Sequence, residues 1–146
     1  MKKMRSVKPI LLVEDDQADA YITRQAMNTI NVANKLIHQP GGEEAIEYLK
    51  DSSNDSPCLV LLDLNMPRMS GFDFLKIVKA DQKLKRTPVV VLSTSDAHDN
   101  VQKSYELGAA GYIVKPVDFN QFVDAMAALD SYWSVNMMPD AELMMI

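Results

Sequence analysis

Short, continuously apolar runs recur along the chain and constrain its fold more than any other feature: ILLV at 10–13, LVLL at 59–62, VVVL at 89–92 and YIV at 112–114. Each is too short for a helix and mostly lacks the alternation of a strand with one wet face, so each reads as a strand buried on both faces. Between them lie segments with helical spacing, roughly 18–29, 43–50, 72–80, 100–107 and 119–129. A weaker strand at about 34–38 precedes the Pro40-Gly41-Gly42 turn and brings the count to five strands and five helices. Alternation of this kind predicts one parallel sheet with helices on both faces, an α/β fold. Ser70 and Asp118 mark helix starts, and Gly108 suits a left-handed cap after the fourth helix.

In an open parallel sheet, ligands bind beyond the carboxyl ends of the strands, so the residues leaving each apolar run are the ones to inspect. Glu14, Asp15 and Asp16 follow the first strand, Asp63 the third, Ser93 and Thr94 the fourth, and Lys115-Pro116 the fifth. Neighbouring carboxylates raise one another's pKa unless a cation sits among them, and a hard ion such as Mg²⁺ favours one or two carboxylates with carbonyl and water. Asp15 and Asp63 suit the metal. Asp63 also suits nucleophilic attack on phosphorus, where alignment and charge neutralisation by Mg²⁺, Lys115 and the Ser93 hydroxyl would do most of the catalytic work. A single acid in such a turn commonly does no more than cap the next helix. Compatible groups at four strand ends exceed what capping requires.

The motifs LLVEDD at 11–16, LLDLNMPRMSG at 61–71, PVVVLST at 88–94 and GAAGYIVKP at 108–116 together resemble the response-regulator receiver family, over about 8–129. The resemblance implies a flavodoxin-like, doubly wound three-layer sandwich, strand order 2-1-3-4-5, with a receiver domain at 8–130 and a C-terminal tail at 131–146. It implies Asp63 as phosphoacceptor, Asp15 as direct metal ligand, the Asn65 backbone carbonyl as another, and Glu14 reaching Mg²⁺ through water. By the same similarity Lys115 pairs with the phosphoryl group, Ser93 senses it, Tyr112 swings inward in response, and the Lys115–Pro116 bond is cis. Thr94 stands where the family often carries a smaller residue, which suggests a long-lived phosphoryl state. Asp16 is open to two readings, helix cap or metal neighbour. Tyr112 can also be plain strand packing.

The short tail, with its Tyr132-Trp133 pair and Met-Met-Pro stretch, is similar to stand-alone receivers that work with phytochrome-type histidine kinases. In those, the fourth helix, fifth strand, fifth helix and tail form a homodimer. The phosphodonor histidine then belongs to a sensor histidine kinase or phosphotransfer protein, because neither His38 nor His98 has metal-ligand or catalytic spacing. The apolar tail could equally cover the fifth helix.

Other classes are disfavoured. Net charge is −5 and the basic groups at 2–8 and 83–86 are small, so no nucleic-acid partner is expected. No apolar run approaches the roughly 20 residues that span a bilayer, so no membrane partner is expected and the expected location is cytoplasmic. The lone Cys58 beside an apolar run reads as a buried hydrophobe. A nucleotide binder on this fold would want a glycine-rich phosphate loop, which is absent. A haloacid-dehalogenase-like hydrolase would want an acid where Asn65 stands, and an unphosphorylated receiver-like adaptor is left for experiment to separate.

Overall fold

The computed structural model describes residues 8–135. Its order is β1 (Ile10–Val13), α1 (Gln17–Thr29), β2 (Leu36–Gln39), α2 (Gly42–Lys50), β3 (Leu59–Asp63), α3 (Gly71–Ala80), a 3-10 turn at Leu84–Arg86, β4 (Val89–Ser93), α4 (His98–Glu106), β5 (Gly111–Val114) and α5 (Phe119–Val135). The five strands form one sheet in the order β2-β1-β3-β4-β5, and every pairing is parallel. The expected doubly wound fold is therefore the observed one.

Side chains alternate across a strand, and that period sorts the interior into two cores. Ile10, Leu12, Leu59, Leu61, Val90 and Leu92 meet Ala26 and Met27 of α1 and Phe122, Met126 and Trp133 of α5. Leu11, Val13, Val60, Leu62, Val89 and Val91 face Ala45 of α2 and Phe74, Leu75 and Val78 of α3. β1, β3 and β4 are thus buried on both faces, which explains their unbroken apolar runs. Each such fully buried Leu or Val contributes about 1.5–3 kcal/mol relative to exposure.

β5 departs from the expectation of a strand buried on both faces. It pairs with β4 alone, its first three residues are half-buried, and Val114 is exposed. An edge strand has a neighbour on one side only, so helices cover it incompletely. The weak strand at 34–38 also shifts forward, to Leu36–Gln39.

Local signals set the helix ends. Ser70 accepts the Asp73 N–H at 3.2 Å as the cap of α3, and Asp118 accepts the Asn120 N–H at 2.9 Å before α5. Gly108 has φ 103, a left-handed conformation that glycine adopts without strain. α5 runs on through 131–135, the start of the expected tail, with Trp133 buried in the first core and Tyr132 exposed. The remaining tail, 136–146, lies outside the described residues. Among the described residues no helix is long and apolar enough to cross a membrane. Cys58 is buried, as expected.

Candidate functional site: an acidic cluster at the carboxyl edge of the sheet

A parallel sheet delivers all its carboxyl ends to one edge, and β1, β3, β4 and β5 bring the expected groups there. Carboxylate oxygens of Glu14, Asp15 and Asp63 lie within 4.8 Å of one another. Asp63 is the last residue of β3 and buried, whereas Asp15 lies just past β1 and is exposed. Asp63 Oδ1 accepts the Asn65 N–H at 3.3 Å, which fixes the first turn of the loop leaving β3.

That loop is set closely against the strand. A Cβ on Gly71, the first residue of α3, would stand 2.7 Å from the Asp63 carbonyl oxygen and 2.7 Å from Leu64 Cα. Only glycine allows the helix to start so near the nucleophile candidate. On its outer side Arg68, at φ 63, reaches Glu43 at 3.5 Å and Glu44 at 3.2 Å on α2. These pairs are solvated and contribute little.

Glu14 is 2% exposed, and a buried carboxylate needs partners. Its Oε1 accepts Lys115 Nζ at 2.9 Å and its Oε2 the Asp16 N–H at 3.3 Å. Lys115 also stands 3.7 Å from Asp19 Oδ2. Burial lowers the Lys115 pKa, but the hydrogen bond and charge of Glu14, with the charges of Asp63 and Asp19, outweigh it, so the ammonium is held above its ordinary range. The Asp63 carboxyl is pushed up to about 7, first by burial, then by the Glu14 charge and a hydrogen bond with Glu14. Lys115 and the Asn65 N–H pull it the other way without prevailing. The cluster is therefore short of positive charge. Three hard oxygen donors in that state suit a hard divalent cation.

Ser93 is buried at the end of β4, and its Oγ accepts the Ser95 N–H at 3.1 Å. The Ser95 carbonyl in turn accepts the Tyr112 hydroxyl at 2.7 Å. Ser95 Oγ accepts from the Ala97 N–H and the Asn100 side chain, tying the same residue to the start of α4. Tyr112 is half-buried against the second core, so it packs and hydrogen-bonds at once. Thr94 is exposed.

Asp16, open to two readings, caps α1: its Oδ1 accepts the Ala18 N–H at 2.8 Å and the Asp19 N–H at 3.2 Å. The Lys115–Pro116 bond is not the expected cis form; no peptide bond among the described residues is cis. Trans is the isomer an X–Pro amide favours by about 0.5–1 kcal/mol. His98 opens α4 on the exposed surface.

Three contacts were not foreseen from the sequence. Asp19, in the first turn of α1, reaches Lys115 beyond β5, a pairing between distant parts of the chain that no spacing in the sequence signals. Ser95 links Ser93 to Tyr112 through main-chain groups, which side-chain chemistry does not reveal. His38 places Nε2 2.7 Å from the Glu14 carbonyl oxygen; only the β1–β2 register brings the two together.

The sequence model described as "Response regulator receiver domain" matches residues 10–127. The response regulator Rcp1 of Synechocystis sp. is 35% identical over 130 residues, covering 86% of this chain and 88% of Rcp1. The structure of Mn²⁺-bound Rcp1 superposes with a TM-score of 0.82 at 34% identity, over 91% of this chain and 99% of that one. The phosphorylated cyanobacterial phytochrome response regulator RcpA gives 0.83 at 36% identity, over the same shares. With its strand order, its acidic edge and these similarities, the chain belongs to the response regulator receiver domain family.

Proposed function

We propose that this protein is a phosphorylation switch in which Asp63 accepts a phosphoryl group from the phosphohistidine of a sensor histidine kinase or phosphotransfer protein. The observation that carries the reading is the meeting of Glu14, Asp15 and Asp63 within 4.8 Å, beside a lysine pinned by Glu14 at 2.9 Å. Asp15, Asp63 and the Asn65 backbone carbonyl would hold Mg²⁺ directly, and Glu14 through water. The similarity to a Mn²⁺-bound form of Rcp1 supports divalent-ion binding. Bound there, the ion would neutralise the carboxylates and draw charge from the phosphoryl oxygens.

In the transfer, an Asp63 carboxylate oxygen forms the bond to phosphorus as the nitrogen–phosphorus bond of the donor breaks, and the imidazole leaves with a proton. Lys115 exchanges part of its contact with Glu14 for a phosphoryl oxygen. Ser93 turns its hydroxyl toward another. The Ser95 N–H then loses its acceptor, and the strain passes through one residue to both Tyr112 and the α4 start. Output is a change in protein contacts on the α4–β5–α5 face, where Tyr105, Val114 and Tyr132 are exposed. A phytochrome-type kinase belongs to the same reading, supported by the likeness to the phytochrome response regulator RcpA, and so does a homodimer through this face, for which the exposed apolar side chains speak.

Intact mass spectrometry after incubation with acetyl phosphate tests it. A single labile phosphoryl adduct that needs Mg²⁺ and disappears in Asp63→Asn is expected. No adduct on the wild type would instead favour a receiver-like adaptor that works unphosphorylated.

A further inference from the structure

We infer that His38 is a positioning residue for the acidic site, holding the main chain of Glu14 so that the carboxylates of Glu14 and Asp15 are preset for a divalent cation. The inference rests on the metal-assisted reading above and extends it to a residue on β2, away from the motif positions.

β1 pairs with β2 only as far as Val13 opposite Gln39. Just beyond, the Glu14 N–H donates to the Gln39 carbonyl at 3.1 Å. β2 stops at Gln39 and Pro40 turns the chain away, so the ladder offers the Glu14 carbonyl no further strand partner. Glu14 is buried, and water cannot readily take over. The side chain of His38, opposite Leu12 in the register, supplies the donor at 2.7 Å. A carbonyl only accepts, so Nε2 carries the hydrogen.

Glu14 is thus held from both ends: its main chain by Gln39 and His38 of β2, its carboxylate by Lys115 beyond β5. Asp15 is the next residue, and a peptide plane fixed at Glu14 sets the direction in which Asp15 departs. Without the His38 bond the peptide is free to rotate toward another donor, and the carboxylate pair loses its preset spacing. Metal sites depend on such outer contacts for affinity, commonly by about 10- to 100-fold. Here the contact is to the main chain rather than to a ligand atom, so a loss toward the low end is expected.

The test compares His38→Phe, which keeps a flat ring but removes the donor, with His38→Gln, which restores an N–H donor on a side chain of similar reach. Mg²⁺ binding is measured by titration calorimetry, and acetyl phosphate labelling is followed at limiting and at saturating Mg²⁺. Weaker Mg²⁺ binding by His38→Phe is expected, with labelling that recovers at saturating Mg²⁺, and binding by His38→Gln close to wild type. Equal Mg²⁺ affinity in wild type and His38→Phe overturns the inference while leaving the parent reading intact, as does a Gln variant no better than Phe. A wild type that binds no Mg²⁺ takes down both. A readout independent of any variant's folding is the ¹⁵N spectrum of the wild-type imidazole: the Nε2–H form is expected, and a ring protonated at Nδ1 alone overturns the inference.

Discussion

At the scale of single residues, Asp63 concentrates the electrostatic cost of the site. Its carboxyl is held at about 7 against an ordinary 3.8 because burial and Glu14 disfavour the charge. Below 3.8 both folded and unfolded chains keep the proton. As pH rises from there toward 7, the unfolded chain ionises first, so the metal-free protein loses stability through that window and the loss levels off above it. Asp63→Asn is therefore expected to raise the metal-free melting temperature, more at pH 8 than at pH 4.5. Added Mg²⁺ should stabilise the wild type and leave the variant largely unchanged. Thermal scans at the two pH values check both statements. Thr94 acts on a different quantity. It follows β4 directly and is exposed; if its branched side chain crowds the approach of water to a phosphorylated Asp63, Thr94→Ala is expected to speed loss of the phosphoryl group several-fold. An unchanged decay rate would contradict this.

At the scale of elements, the junction between β3 and α3 is where fold and chemistry share atoms. Gly71→Ala would set a methyl against the Asp63 carbonyl and Leu64 Cα, both main chain, so the strand end must move. The expected outcome is a folded protein, by circular dichroism, with sharply reduced Mg²⁺-dependent labelling. Ser70→Ala removes the cap of α3 one residue earlier and should cost about 0.5–2 kcal/mol in urea unfolding. Labelling of the folded protein should persist. These contrasts also show why some elements were legible from sequence and others less so. β1, β3 and β4 are covered on both faces, and their apolar runs state that directly. β2 and β5 are edges: the half-polar LIHQ of β2 blurs its boundary, whereas the apolar GYIV of β5 overstates its burial. The candidate site was legible because strand ends project ionisable side chains that motif spacing exposes. The contacts to Ser95 and to the Glu14 carbonyl involve main-chain groups, which every residue carries, and so leave no mark in the sequence. Asp16 could be settled only by the cap geometry itself.

At the scale of the whole molecule, the hydrogen bonds that lead from Ser93 reach Tyr112 on β5 and the start of α4, so in the proposed switch occupation of Asp63 and exposure of the α4–β5–α5 face are expected to be two readings of one equilibrium. Val114 and Tyr132 leave apolar area there. Beryllofluoride with Mg²⁺ is expected to shift the chain toward dimer in sedimentation velocity, and Tyr132→Ala to weaken that shift without reducing phosphoryl labelling. An association state indifferent to beryllofluoride would separate phosphorylation from dimerisation. The most direct test of the central claim is to phosphorylate the protein with acetyl phosphate and Mg²⁺, reduce it with sodium borohydride and map the peptides. The account predicts homoserine in place of Asp63 and at no other acidic residue; homoserine elsewhere, or an adduct that borohydride cannot reduce, would contradict it.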